Sequence, residues 1–262
     1  MAENPYAAPR THVQDARTSF PDGDFIADGR GVAAGNGWRW IVDAWTFTAD
    51  QRLTFVGLFV LLLVVQLAAN FLPVIGPLAV SLFTPVLVGG FVLGCEAVRR
   101  GEPLEISYFF AGFSRHTGKL VALGALSVAF GILAGVIMIL IVGSAFLPIL
   151  LGTAEPAPEE VLNLLLPMLL AVLVIMALSL PLSMAMLFAT PLIVLENFEV
   201  GAALKSSFAA CLKNVLPFLV WSVAILILGL LAAIPLLLGW FLLAPIVMVS
   251  LYLSYRDIFH DI

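Results

Sequence analysis

The chain has 262 residues, of which 62% are hydrophobic and 11% are charged, and its mean hydropathy is +1.11. An average soluble domain has roughly 25% charged and about 45–50% apolar residues, so the composition excludes an ordinary soluble protein and indicates a multi-span integral membrane protein. The net charge of -5 argues against a nucleic-acid-binding protein, and the 2 cysteines are too few for a disulfide-rich scaffold.

The first 36 residues differ from the rest of the chain, since they are rich in proline and glycine and show no apolar periodicity. Such a segment cannot bury enough apolar surface to offset the entropy cost of ordering, so we expect a disordered cytoplasmic tail over 1–36. No apolar stretch follows the start, which predicts that there is no cleavable signal peptide. The opening motif from Asn4 to Pro9 is interpreted as a solvated leader, with docking of a partner as the alternative.

Long apolar runs predict six transmembrane helices, because a bilayer core of about 30 Å requires roughly 20 apolar residues per helix. The runs are 53–72, 77–98, 120–151, 161–195 and 215–255, the last being broken at Pro235 and Gly239 and long enough for two spans. The third and fourth runs exceed the length of one upright span. We expect them either to tilt and kink or to project from the bilayer.

The basic residues fall on one side of these spans. All 12 lysines and arginines lie before the first span, after the second, after the fourth or after the sixth. Lys and Arg near span ends remain on the cytoplasmic side, so we expect a multi-pass protein with both termini in the cytoplasm. Cys95 and Cys211 then lie near cytoplasmic helix ends, where a disulfide is not expected.

A short amphipathic stretch precedes each odd-numbered span. The aromatic residues that we expect to anchor these stretches at the membrane surface are Trp38, Trp45, Phe109, Phe113 and Phe208. Each following even-numbered span contains proline. We therefore predict a degenerate threefold repeat of interfacial helix plus hairpin, with units at about 37–101, 104–196 and 198–258, inside one transmembrane domain over 37–262.

Four residues of the even-numbered spans are candidates for a helix kink or a cavity: Pro85, Thr190, Pro191 and Pro245. Proline inside a membrane helix frees a carbonyl group and bends the axis, and neighbouring helices or Thr hydroxyls must then satisfy that group.

Glu96, Arg99 and Arg100 form a candidate polar site at the inner rim. Their spacing of three and four residues is typical of an ordinary helical ion pair, with a gating or binding role as the alternative.

Two of the spans each contain a pair of glycines four residues apart. Gly90 with Gly94, and Gly131 with Gly135, predict close helix contacts either within the bundle or between protomers.

The end of the last span carries a further set of candidate anchors. Tyr252 and Tyr255 are expected at the inner interface, Arg256 is expected to face anionic headgroups, and Asp257 can pair with Arg256. An aromatic and basic anchor is favoured over recognition of a specific lipid phosphate.

Catalytic and metal-binding motifs are absent from the sequence. The 3 histidines are scattered in aqueous segments, and no P-loop, no Gly-x-Ser-x-Gly motif and no buried acid pair occurs. We therefore expect no cofactor, no metal site and no enzyme activity.

Five segments carry a family resemblance: Cys211–Pro217, Pro235–Gly239, Tyr252–Phe259, Gly37–Ile41 and Arg99–Pro103. They resemble an uncharacterised bacterial inner-membrane family known as the BPSS-type membrane proteins, and the likeness covers roughly 37–260. More distantly, the layout is similar to the membrane domains of some glycerophosphodiester phosphodiesterases, although this chain has no phosphodiesterase domain. The resemblance implies an inner-membrane location and contact with lipid.

The sequence thus predicts an all-α, six-span transmembrane helical bundle with three interfacial helices on the cytoplasmic side. The leading hypothesis is a non-enzymatic protein that binds or organises membrane lipids or a partner. The alternative is a transporter or flippase of an apolar or amphipathic substrate, since kinked helices and internal repeats are common in carriers. Membrane lipids are the expected partners, a protein partner or homo-oligomer is left open, and nucleic acid is not expected.

Overall fold

The fold is a helical bundle, and the structure that shows it is a computed structural model. It describes residues 23–114, 116–151 and 158–261, with the backbone alone over 144–150 and 158–164. The helices are α1 (Asn36–Phe47), α2 (Arg52–Asn70), α3 (Ile75–Arg99), α4 (Thr117–Leu150), α5 (Pro158–Leu187), α6 (Ala189–Glu196), α7 (Val200–Lys213), α8 (Val215–Ala233) and α9 (Trp240–Phe259). The predicted all-α class is therefore confirmed.

Six helical segments are long and apolar enough to cross a membrane, as the sequence predicts. They are Ala49–Asn70, Ile75–Arg99, Thr117–Gly143, Leu165–Glu196, Val215–Ala233 and Trp240–Phe259. Each of the three amphipathic stretches before the odd-numbered spans is helical, as α1, as a 3₁₀ helix over Ile106–Phe113 and as α7. The threefold repeat stays a prediction.

The helix ends on the side where the basic residues accumulate form what we call the charged end of the bundle: the starts of α2, α4 and α8, and the ends of α3, α6 and α9. Arg52 begins α2, Arg99 ends α3 and Glu196 ends α6. Arg115, which belongs to the same predicted basic set, lies outside the described residues.

Residues 23–36 differ from the predicted disordered tail, because they pack against the charged end. A short strand β1 (Asp24–Phe25) pairs antiparallel with β2 (His260–Asp261), which directly follows α9. The Val32 N–H donates to Asn214 Oδ1 at 2.8 Å. Hydrogen bonds to the ends of α7 and α9, together with the packing of Phe25 and Val32 against the core, thus order this segment. Residues 1–22 lie outside the described residues.

The third and fourth spans form a long hairpin with little burial. Helix α4 is continuous over 34 residues, which corresponds to roughly 51 Å at 1.5 Å per residue and exceeds a bilayer core of about 30 Å. Only 6% of the apolar window in each of these two spans is buried. Most of their apolar surface is therefore available to lipid. Residues 152–157 of the predicted acidic connection lie outside the described residues.

A break separates α5 from α6 near the predicted kink. Pro191 falls in the first turn of α6, where a missing N–H costs no helical hydrogen bond. The Phe188 N–H donates to Ser207 Oγ at 3.0 Å, and the Ser207 hydroxyl donates to the Met184 carbonyl at 2.7 Å. A side chain of α7 thus inserts between the donor and acceptor that a continuous helix would join. Pro85 and Pro245 instead lie inside continuous helices.

Candidate functional site

An apolar groove lies between α1, α8 and α9, with a volume of about 410 Å³. We call it the lipid-side groove. Its lining residues are Ile41, Val42 and Trp45 of α1, Leu228 and Ala232 of α8, and Gly239, Leu242, Leu243 and Ile246 at the start of α9. Ligand pockets commonly have volumes of about 300–1,000 Å³. The groove therefore has the size and apolar lining of a site for part of a hydrocarbon chain.

Helix α1 supplies one wall of the groove because its sequence carries apolar side chains on two faces. One face, which includes Trp40, Ala44 and Phe47, is buried in the bundle. Val42 and Trp45 lie outside that buried face and remain 45% and 46% exposed. The predicted surface helix is thus packed on one side and open on the other, where the groove lies.

Arg52 lies beside the groove and stacks on Trp45, which is one of the residues that line it. The Arg52 guanidinium carbon is 4.0 Å from the centre of the Trp45 ring, and Nη2 donates to the Trp45 carbonyl at 3.1 Å. The buried Nε of Arg52 has no hydrogen-bond partner among the described residues. This contact was not predicted, although Trp45 and Arg52 are only seven residues apart.

The predicted ion pair at the inner rim is confirmed and is part of a larger cluster. Arg99 Nη2 lies 2.6 Å from Glu96 Oε1, and Arg100 pairs with the same oxygen at 3.1 Å. The Tyr252 hydroxyl of α9 also donates to Glu96 Oε2 at 2.7 Å. Glu96 and Arg99 are both buried. Glu96 therefore connects the ion pair within α3 to Tyr252 of α9. The spacing of residues in the sequence predicts the ion pair but not the contact with α9.

A second polar cluster links α6 to the end of α9. The Tyr255 hydroxyl donates to Glu196 Oε1 at 3.0 Å, and His260 Nε2 lies 3.5 Å from the same oxygen. Arg256 Nη1 lies 3.0 Å from His260 Nε2, so Glu196, Tyr255, Arg256 and His260 form one contact chain.

The predicted anchors at the end of α9 are buried instead of lying at a membrane surface. Tyr252, Tyr255 and Arg256 are all less than a tenth exposed. The reason is that α1, α3, α6 and residues 23–36 surround this end of α9, so its polar groups bond to protein.

Asp257 also differs from its predicted pairing with Arg256. It accepts hydrogen bonds from Asn36 Nδ2 at 2.7 Å and from Trp40 Nε1 at 2.8 Å, and it pairs with Arg30 at 3.3 Å. Asp257 thus connects α9 to the segment before α1 and to α1 itself.

The other predicted anchors lie in different environments. Trp38 and Phe113 are exposed and Phe208 is half-buried, whereas Phe109 is buried against α2 and α3. Phe109 therefore belongs to the core and is not available as an anchor.

The candidate kink and cavity residues are only partly brought together. Pro85, Thr190, Pro191 and Pro245 are all buried. A Cβ placed on Gly89, one turn after Pro85, would lie 3.7 Å from Thr190 Cγ2, so α3 and α6 meet there. Pro245 lies elsewhere on α9, next to residues that line the groove.

The two glycine pairs have different roles. A Cβ on Gly94 would contact Leu104 and Tyr108, and one on Gly90 would meet backbone atoms of the 3₁₀ helix. Nothing lies within 4 Å of such a Cβ on Gly131 or Gly135. The α3 pair therefore forms a contact within the bundle, whereas the α4 pair faces away from the described residues.

Both cysteines, Cys95 and Cys211, are free and buried. Burial raises the pKa of the Cys211 thiol to about 12, so this thiol stays protonated at neutral pH.

No group of three or more His, Cys, Asp or Glu side chains in the described ranges could hold a metal ion. No known protein family, curated protein or solved structure matches the chain. The resemblance to the BPSS-type family stays a prediction, and the case for a function depends on the groove and its surroundings.

Proposed function

We propose that this chain is a non-enzymatic protein of a bacterial inner membrane that binds phospholipid, with an acyl chain in the lipid-side groove. The observation that carries the proposal is the groove itself, which is apolar and lies on the membrane-spanning part of the bundle. Apolar surface inside a bilayer contacts either lipid or protein, and a concave surface holds a lipid chain longer than a flat one because it offers more van der Waals contact.

The position of α1 supports this function. Trp45 is exposed at the groove, and Trp38 of the same helix is also exposed. Tryptophan side chains favour the headgroup region of a bilayer. A lipid that enters the groove would therefore have its headgroup near α1 and its acyl chain along α8 and α9.

The proposed orientation places the charged end in the cytoplasm, since Lys and Arg accumulate there. The exposed residues Lys205 and Phe71 lie at opposite ends of the bundle and allow a direct test. We expect a Lys205→Cys variant to react with a membrane-impermeant thiol reagent only in inside-out vesicles, and a Phe71→Cys variant only in right-side-out vesicles. The reverse pattern would refute the orientation.

The alternative, a transporter or flippase, receives less support from the same residues. A carrier requires a water-accessible path, and we expected it near Pro85, Thr190 and Pro245. All three are buried. Cysteines placed at these positions are expected to resist impermeant thiol reagents from both sides, and reaction at all three would favour the carrier.

The lipid-binding proposal is tested by filling the groove from its open side. Val42→Trp places a larger side chain in the groove, and Val64→Trp is the matched control because Val64 is an exposed valine of α2 that does not line it. The full chain is released from its own membrane in a mild detergent, and retained phospholipid is counted by native mass spectrometry.

We expect the wild type and Val64→Trp to retain phospholipid, and Val42→Trp to lose most of it. Equal retention by all three proteins would refute binding in the groove. Circular dichroism of each variant shows whether the helical fold is preserved, so a loss of lipid can be separated from a loss of structure.

A further inference from the structure

Arg52 is distinguished from neighbouring arginines by its lack of a carboxylate partner in the part of the chain that the structure describes. Arg30, Arg39, Arg99 and Arg100 each pair with an Asp or Glu side chain. The contacts of Arg52 are instead to the ring and carbonyl oxygen of Trp45. Its positive charge is therefore not neutralised by an acidic side chain of the described residues.

The two contacts to Trp45 hold the guanidinium in place. A guanidinium has five N–H donors, and here one Nη2 group donates to a carbonyl while Nε is covered by protein. The remaining N–H groups are available to a ligand. Stacking on an indole ring restricts the rotation of the side chain, so less conformational entropy is lost when a ligand binds.

The ring on which Arg52 stacks is also a wall of the lipid-side groove. Trp45 thus contacts both the lipid-side groove and a guanidinium that has no carboxylate partner among the described residues. The molecule that matches both features has a hydrocarbon chain and an anionic phosphate at one end. Arginine binds phosphate with more than one N–H group, which adds geometric selectivity to the electrostatic attraction.

We propose that Arg52 binds the phosphate of an anionic phospholipid whose acyl chain occupies the groove, so that the site selects phosphatidylglycerol over zwitterionic phosphatidylethanolamine. This inference rests on the proposed lipid-binding function. A net negative lipid is favoured because the phosphate compensates Arg52, whereas an ammonium headgroup adds a positive charge beside it.

The experiment compares the two lipids on the full chain. Purified protein in detergent is titrated with phosphatidylglycerol or phosphatidylethanolamine of the same acyl composition, and bound lipid is measured by native mass spectrometry. The variant is Arg52→Gln. The matched control is Arg100→Gln, which makes the same charge change at an exposed arginine directly after α3 that does not contact Trp45.

For the wild type and Arg100→Gln we expect a clear preference for phosphatidylglycerol. Arg52→Gln should lower the affinity for phosphatidylglycerol by about tenfold or more, the effect of losing one hydrogen bond between charged groups. The affinity for phosphatidylethanolamine should fall less, because its ammonium group already weakens the attraction between Arg52 and the phosphate, so the preference for phosphatidylglycerol is reduced. Arg52→Lys retains the charge without the planar donor set and is expected to fall between the wild type and Arg52→Gln.

The outcomes separate this inference from the function on which it rests. If Arg52→Gln keeps the wild-type preference while both lipids still bind, the role of Arg52 is refuted and the groove remains a lipid site. If the wild type retains neither lipid, the proposed function fails and the inference fails with it. A lower melting temperature of Arg52→Gln with unchanged lipid selectivity would make Arg52 a structural residue only.

Discussion

Replacing Glu96 by Gln should destabilise the bundle more than any other single polar substitution that we consider. The carboxylate accepts from Arg99 at two atoms, with distances of 2.6 and 3.1 Å, and from the Tyr252 hydroxyl at 2.7 Å. Glu96→Gln keeps the shape of the side chain but removes its charge. Arg99 then faces a neutral amide although its side chain is only 5% exposed.

The size of the expected loss in unfolding free energy depends on how deeply the partners of Glu96 are buried. Removing one member of a buried ion pair costs about 3–5 kcal/mol, because the other charge remains out of water. The Arg100 side chain is 62% exposed, so its contact with Glu96 adds only about 0.3–0.5 kcal/mol. Tyr252→Phe removes one hydrogen bond to a charged acceptor and leaves the ion pair in place. We expect this variant to lose about 1.5–3 kcal/mol of unfolding free energy.

The assay is the free energy of unfolding of the full chain in mixed micelles, followed by far-ultraviolet circular dichroism. Glu102→Gln is the control, since Glu102 is exposed and such surface changes usually stay within about 0.5 kcal/mol of the wild type. Equal stabilities of Glu96→Gln and Glu102→Gln would refute the reasoning. So would a larger loss for Tyr252→Phe than for Glu96→Gln, because the ion pair is expected to contribute more than the hydroxyl.

Three further predictions follow from particular contacts. Asp257→Ala should release the segment 23–36, because Asp257 loses its three side-chain contacts with this segment and with α1. Limited proteolysis should then cleave the segment faster than in the wild type. Gly90→Ala should cost about 1–3 kcal/mol of unfolding free energy, since its methyl group meets neighbouring backbone, whereas Gly131→Ala should be neutral within about 0.5 kcal/mol. Burial raises the pKa of Cys211 to about 12, so its thiol should resist a maleimide at pH near 8 in the folded protein and react after unfolding. Fast reaction of the folded protein would contradict the burial of Cys211.

The spans could be predicted from the sequence because hydropathy and length are properties of each run alone. The Glu96 ion pair could be predicted for the same reason, since its members lie three and four residues apart on one helix. The amphipathic stretches are helical for a local reason too, namely the spacing of their apolar residues.

The groove and the polar clusters could not be predicted, because they depend on which helices are neighbours. Asp257 and Arg30 are 227 positions apart, and Tyr252 and Glu96 are 156 positions apart. Periodicity indicates that a side chain is polar or apolar on one face, but it does not indicate what that face meets. The same aromatic signal therefore predicted Tyr255 as a surface anchor, whereas the structure buries it against Glu196.

Helix α1 connects the charged end to the proposed lipid site. Its buried face is held by Trp40, which donates to Asp257, and by Phe47, whose ring lies 6.0 Å from that of Tyr252. Its open face supplies Val42 and Trp45 to the groove. A lipid that binds α1 more tightly in this packed position must, by linkage, stabilise the contacts that hold α1 there. Under the proposed function, the contacts of Trp40 and Phe47 would therefore support lipid binding indirectly, by keeping this wall of the groove in place.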